Sequence, residues 1–157
     1  MTRPTADEAR DVFAARQMVE CGLMPEVARR LAAEEARELR RLSDREQQAV
    51  RDGDHSAGIR LSAEFHSRLA RVSGNATLAD FVERLCFRSS LILAVYGHPA
   101  HLGCETHDHD ALIERLEAGE GDAAAALMSQ HLKAVEATLS MVEEAEEAPD
   151  LQAIFAS

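Results

Sequence analysis

Three histidines lie on the apolar stripes of three separate predicted helices. His66, His109 and His131 each have Leu, Ile or Met one helical turn away. Burying an imidazole without hydrogen-bond partners costs free energy, so three on inward stripes need a common explanation. A divalent metal such as Zn²⁺ offers one, because neutral imidazole is a favoured ligand and three protein ligands leave a position open for water or a substrate oxygen. The alternative is that each is a core histidine hydrogen-bonded to a neighbour, and spacing alone does not show that the three faces meet.

Two arginines fall on predicted inward stripes, Arg16 on the first helix and Arg88 on the fifth. A buried guanidinium must be paired, and its planar fork suits a carboxylate. That carboxylate could belong to the chain itself, with Glu20 and Glu83 as the nearest examples, or to a bound ligand.

Other catalytic patterns are weak or missing. GxSxG and HExxH do not occur, and no glycine-rich segment ends in GK[ST]. His107 and His109 are two residues apart and cannot share a helix face, so His107 is expected to be exposed. Cys104 lies near His101 and His107, which is slender ground for a thiol nucleophile. The sequence favours ligand binding over catalysis.

Composition narrows the class of protein. The formal net charge of −11 over 157 residues gives no basic face for phosphates, so this chain alone is not expected to bind DNA. Three cysteines without a CxxC pair fit a reducing compartment. No apolar run is long enough for a membrane span, and the N-terminus lacks an apolar signal core. We therefore expect one soluble, cytoplasmic domain.

Helical periodicity runs through the chain, and no segment alternates like a strand. Thr5 and Glu8 form a predicted capping box at the first helix. Gly22 is expected to end or relax that helix, and Pro25 suits the first turn of a short second helix through Ala33. Later turn signals punctuate the chain at 52–54, 73–75, 97–99 and 117–121. Seven helices with short connections predict an all-α, antiparallel bundle.

Several segments resemble one family in order and spacing, over Asp11 to Leu139. They are Phe13-Ala14-Ala15-Arg16-x-x-x-Glu20, Glu64-Phe65-His66 followed by Ser73-Gly74-Asn75, His109-Asp110-Ala111-Leu112-Ile113, Glu117-Ala118-Gly119 and His131-Leu132. Together they resemble the effector-binding C-terminal (FCD) domain of GntR-type transcription regulators, FadR subgroup. The resemblance implies a bundle of six to seven helices that encloses a ligand pocket and has no enzymatic activity.

The same resemblance implies a ligand set. In many members a divalent metal is held by three histidines and one acid or amide, and a small carboxylic-acid effector completes the coordination. The histidines carry over to His66, His109 and His131, but the acid position, four residues before His66, is Ser62, whose hydroxyl is a poorer ligand. The effector's carboxylate is then expected to meet Arg16 or Arg88 as well as the metal.

The resemblance also implies a homodimer and a domain organisation. Residues 1–157 are expected to form a single effector-binding and dimerisation domain, with no winged helix-turn-helix before Thr5 in this chain. DNA would then be reached only through that missing domain, and Arg3-Pro4-Thr5 resembles the interdomain connection, which favours a fragment. The alternative function is a small helical-bundle metalloenzyme with a three-histidine site, for which Glu64 or Asp108 would have to serve as general base.

Overall fold

The computed structural model describes residues 3–97 and 106–146, and all regular structure in those ranges is helical. The helices are α1 (Ala6–Arg30), α2 (Ala33–Arg51), α3 (His55–Val72), α4 (Ala76–Tyr96), α5 (Thr106–Glu117) and α6 (Gly121–Glu146). The all-α prediction is confirmed. The segment with His101 and Cys104 lies outside the described residues. No described helix has the length and apolar character that a bilayer crossing requires.

The N-terminal helix differs from the prediction, since one 25-residue helix replaces the two expected there. The capping box is present: Thr5 accepts a hydrogen bond from the backbone N–H of Glu8, and Glu8 accepts one from that of Thr5. The chain then continues through Gly22 and Pro25 without a break. Because the buried face continues across Pro25 with Leu23, Met24 and Val27, tertiary burial outweighs the hydrogen bond that proline removes.

Neighbouring helices pack in an order that closes the bundle. The most extensive contacts between helices are those of α1 with α6, α2 with α3 and α3 with α4. The shorter α5 packs on both α2 and α6. The predicted turns at 73–75 and 117–121 are made by Gly74 (φ 77°) and Gly119 (φ 75°), which adopt the left-handed conformation that other residues avoid. At Gly121 the backbones of α6 and α1 meet so closely that a Cβ there would stand 2.6 Å from Pro25 Cα.

The core has two hydrophobic clusters. The larger is built from all six helices, and the smaller contains Ala9, Val12, Phe13, Ile92 and Leu139. Along α1, Arg16 and Glu20 fall between Phe13 of the smaller cluster and Leu23 of the larger one. Along α4, Ser89 falls between Cys86 of the larger cluster and Ile92 of the smaller one. These polar residues are buried, as are His66, His109 and His131. A polar layer therefore lies inside the bundle.

Candidate metal and ligand site

The structure brings the three predicted histidines together. His66 comes from α3, His109 from α5 and His131 from α6, and all three are buried. One ring nitrogen from each lies within 4.8 Å of the others. The Nε2 atoms of His109 and His131 are 3.2 Å apart, close to the roughly 3.3 Å that two ligands at about 2.05 Å make in a tetrahedral zinc site. Phe65 stacks on the His109 ring and fixes its plane.

Each imidazole has a carboxylate against its other nitrogen. Glu20 Oε1 lies 2.6 Å from Nδ1 of His66, and Asp108 Oδ2 lies 3.1 Å from Nδ1 of His131. Glu46 Oε1 lies 3.1 Å from Nδ1 of His109. Carboxylates in this position orient ligating histidines and raise their basicity. The three rings thus turn one nitrogen toward each other and the other toward an acid.

Sequence reasoning did not assign a site role to Glu20 or Glu46. Both could have been noticed in the sequence, because each is an acid on a mainly apolar helical stripe. Glu46 follows Leu39 and Leu42 at helical spacing on α2, and Glu20 precedes Leu23 by three residues on α1. A buried carboxylate needs a partner, so an acid on an inward stripe is as informative as a histidine there.

Burial and the neighbouring charges set the protonation of this cluster. Burial opposes the charge on Glu20, but the attraction of Arg16 and His66 overcomes it and holds the pKa of Glu20 well below its usual range. Burial lowers the pKa of His66 to about 3, although Glu20 acts in the opposite direction. Burial also lowers the pKa of His131, and the hydrogen bond from His131 lowers the pKa of Asp108. At neutral pH these two acids are ionised and these two histidines are neutral, which is the state that binds metals.

Arg16 is buried and paired within the chain. Its Nε donates to Glu20 Oε2 at 2.6 Å, its Nη2 lies 3.4 Å from Oε1, and its guanidinium also faces the Phe13 ring. Of the partners that the sequence allowed, the structure shows Glu20. Because Glu20 also binds His66, the three side chains form one connected chain from α1 to the histidines.

The inward position predicted for Arg88 is wrong. The buried face of α4 carries Val82, Cys86, Ser89 and Ile92, whereas Arg88 is exposed. Successive residues on a helix are separated by about 100°, so a stripe misplaced by one residue puts a side chain on the surface. Arg88 lines a surface groove and does not belong to the histidine cluster.

Residues 11–134 match the family model described as FCD domain. This chain belongs to the FCD domain family. Two similar solved structures are E. coli McbR/YncC (TM-score 0.79, 19% identity, covering 88% of this chain and 70% of that one) and Streptococcus agalactiae GntR (TM-score 0.68, 24% identity, covering 82% and 57%). At these identities the likeness shows the fold. A search of curated proteins found no match.

The family assignment confirms the recognition made from the sequence motifs. FCD domains of GntR-type regulators are ligand-sensing regulatory domains without enzymatic activity. The metalloenzyme alternative is therefore wrong, and the site agrees with that, since Asp108 is bound to His131 and Glu64 is exposed. Neither acid is a free base beside the histidines.

Ser62, which the resemblance puts at the fourth ligand position, lies one turn before His66 on α3 and is half-buried. Among the residues that the structure describes, His66, His109 and His131 are the group of histidines, cysteines or acids placed so that they could hold a metal ion. His107, as expected, is exposed on α5. The side-chain donors that converge are therefore three imidazole nitrogens, with the acids placed behind them.

Proposed function

We propose that this FCD domain senses a small carboxylic acid through a divalent cation, Zn²⁺ or a similar ion, held by His66, His109 and His131. The single observation that supports the proposal is the convergence of three buried imidazole nitrogens within 4.8 Å. Three nitrogen donors match the preference of zinc and neighbouring transition ions rather than that of Mg²⁺ or Ca²⁺.

The charges in contact with the rings fit such an ion. Glu20, Glu46 and Asp108 are the three carboxylates in contact with the rings, and Arg16 is the cation in contact with Glu20. Counted at their formal charges, these four groups carry two net negative charges beside the three rings. Glu20 and Glu46 are buried, and buried charge is costly unless it is compensated, so a cation held by the rings would offset part of it.

A bound ion would supply positive charge and a place for a carboxylate oxygen to coordinate. The chain supplies the orientation of the three rings through the acids behind them. Arg16 adds positive charge nearby, close enough to contribute to the lowered pKa values of His66 and His131. We propose that Arg16 attracts the effector's carboxylate by its charge and does not hydrogen-bond to it, because Glu20 already accepts the hydrogen bonds of Arg16.

We further propose that the domain acts as a homodimer, and that DNA is bound by a separate domain of the regulator. An effector changes regulation only if it binds one arrangement of the dimer more tightly than the other. The support is the family assignment and the names of the two similar structures.

Metal analysis of the purified protein tests the metal site. Wild type prepared without chelator should carry close to one zinc-like ion per chain after dialysis. His109→Ala should lose it. His107→Ala is the matched control, since His107 lies two residues away on α5 but is exposed, and it should keep the ion. Equal metal content in the three proteins, or none in wild type after Zn²⁺ is added, would show that the histidines do not form the site.

Thermal unfolding with a panel of small mono- and dicarboxylic acids then tests sensing. A ligand at 100 times its Kd stabilises the folded state by about 2.7 kcal/mol. We expect this stabilisation in the zinc-loaded protein and not after chelation. Equal stabilisation in both forms would place the effector away from the histidines.

A further inference from the structure

Ser89 of α4 is a buried serine whose hydroxyl is unsatisfied. The residue is 2% exposed, and its Oγ has no hydrogen-bond partner in the described part of the chain. A serine in a helix can avoid this by donating to a backbone carbonyl one turn earlier. The adjacent Ser90 does so, to the carbonyl oxygen of Cys86 at 2.9 Å. A buried hydroxyl without a partner is costly, so Ser89 calls for an explanation.

Ser89 lies on the face of α4 that is turned toward the proposed site. At about 100° per residue, it falls near the middle of the buried stripe of that helix, which is made by Ala79, Val82, Cys86, Ser89 and Ile92. Helix α4 packs on α1, α3 and α6. Those helices carry Arg16, His66 and His131. The hydroxyl therefore belongs to the polar layer inside the bundle.

The height of Ser89 along the bundle also matches that layer. Helices α1 and α4 run in opposite directions, because Phe13 clusters with Ile92, whereas Leu23 belongs to the cluster that holds the first half of α4. Arg16 comes three residues after Phe13, and Ser89 comes three residues before Ile92, so the two lie at about the same height. The Cα–Cβ bond of a helical residue tilts toward the N-terminus of its helix. The Ser89 side chain thus leans toward the larger cluster, whose members flank each histidine.

The charges that act on Cys86, three residues before Ser89, place the same face independently. Burial raises the pKa of the Cys86 thiol to about 12, while Arg16 lowers that pKa and Glu20 raises it. Electrostatic effects fall off with distance, so this stretch of α4 lies close to the buried pair that contacts His66.

We propose that the Ser89 hydroxyl binds the effector, donating a hydrogen bond to the carboxylate oxygen that the cation leaves free. A carboxylate has two oxygens, and coordination of one leaves the other to accept. A serine hydroxyl is neutral, so it adds a directed contact without changing the charge around the histidines. The charge of Arg16 attracts any anion, whereas a directed donor favours a carboxylate in one orientation. This inference rests on the proposed function and adds a residue that recognises the effector.

Acetate and succinate test the inference, since carboxylates are their only polar groups. We expect Ser89→Ala to weaken the binding of both acids to the zinc-loaded protein, measured by titration calorimetry, by about 10- to 100-fold, as for other hydrogen bonds to charged groups. Ser90→Ala is the matched control, because that hydroxyl already donates to the backbone, and it should leave both affinities unchanged. Each variant should bind Zn²⁺ alone as wild type does.

The melting temperature of the metal-free protein supplies a second readout. Ser89→Ala removes an unsatisfied hydroxyl and introduces a better helix former, so this temperature should stay level or rise. A merely structural role would lower it together with the affinity for the acids. A lower melting temperature, unchanged acid affinity, or changed Zn²⁺ affinity without acid would each overturn the inference and leave the proposed function standing. Zinc-loaded wild type that binds neither acid would instead contradict the proposed function, and this inference with it.

Discussion

The buried contact between Arg16 and Glu20 gives the sharpest stability prediction. Glu20→Gln keeps the size of the side chain but removes its charge and leaves one oxygen for two donors. In the native chain Glu20 uses one oxygen for Arg16 at 2.6 Å and the other for His66 at 2.6 Å. The variant therefore leaves a buried guanidinium without its counter-charge.

The expected cost follows from burial. Removing one partner of a buried ion pair costs about 3–5 kcal/mol, and the amide oxygen that remains for Arg16 favours the lower value. At about 2–4 °C per kcal/mol for a chain of this size, the melting temperature of metal-free Glu20→Gln should fall by roughly 6–12 °C. Urea unfolding, followed by circular dichroism in the presence of chelator, measures the free energy directly.

A double-mutant cycle separates the contact from general damage. Arg16→Met alone should also be costly, because it removes the main counter-charge of Glu20. Arg16→Met combined with Glu20→Gln removes both charges, and replacing a whole buried pair is often close to neutral. The double variant should therefore lose at least about 2 kcal/mol less than the sum of the single losses. Strictly additive losses, or a loss below about 1 kcal/mol in Glu20→Gln, would refute the coupling described here.

Three further predictions concern pH, packing and the fourth ligand. Folding lowers the pKa of His66 from 6.5 to about 3, so the unfolded state binds more protons than the folded state between these two pH values. The free energy of unfolding should therefore drop by about 1 kcal/mol per pH unit as the pH is lowered from 6.5 to 5. A free energy of unfolding in urea that does not change over this pH range would contradict the buried neutral ring. Gly121→Ala would place a Cβ 2.6 Å from Pro25 Cα and should lower the stability measured by thermal unfolding by about 1–3 kcal/mol. Gly22→Ala, which has open space around it inside α1, should raise the stability by about 0.5–1 kcal/mol. Equal effects of the two substitutions would argue against the tight contact between α1 and α6. Ser62→Asp should tighten Zn²⁺ binding, measured by competition with a chromophoric chelator, by on the order of tenfold, and unchanged binding would mean that position 62 does not reach the ion.

The helical character of the chain and most of the helix ends could be predicted from the local sequence. The capping box at Thr5 and the glycines at 74 and 119 act within a few residues of themselves, and all are present as expected. The prediction failed at Pro25, because continuation of α1 depends on what Leu23, Met24 and Val27 bury, which is a property of the whole bundle. A proline that locally disfavours the helix therefore has less effect on where α1 ends than the continuous face that the helix buries.

The site shows the same division. Helical periodicity placed each histidine on a buried face, whereas spacing alone left open whether the three faces meet, and only the family resemblance implied that they do. The acids behind them could not be assigned to particular rings, since the contact of Glu46 with His109 depends on how α2 packs against α5. The inward position predicted for Arg88 was wrong for a simpler reason. The buried stripe was misplaced by one residue, on a helix whose exposed face also carries the large apolar side chains Phe81 and Phe87.

The position of the negative charges has a consequence for how metal and effector depend on each other. With Ser62 where an acid is expected, the proposed ligand set is three histidine nitrogens, and the carboxylates of Glu20, Glu46 and Asp108 lie behind the rings. A neutral ligand set leaves more of the cation's charge for an incoming anion, so it binds the metal less tightly and the carboxylate effector more tightly. By linkage, an effector that binds better when the metal is present must raise the affinity for the metal by the same factor. We therefore expect this domain to respond to the two together, with Zn²⁺ held weakly without effector and firmly with it, and Ser62→Asp should weaken that mutual dependence while it strengthens metal binding alone.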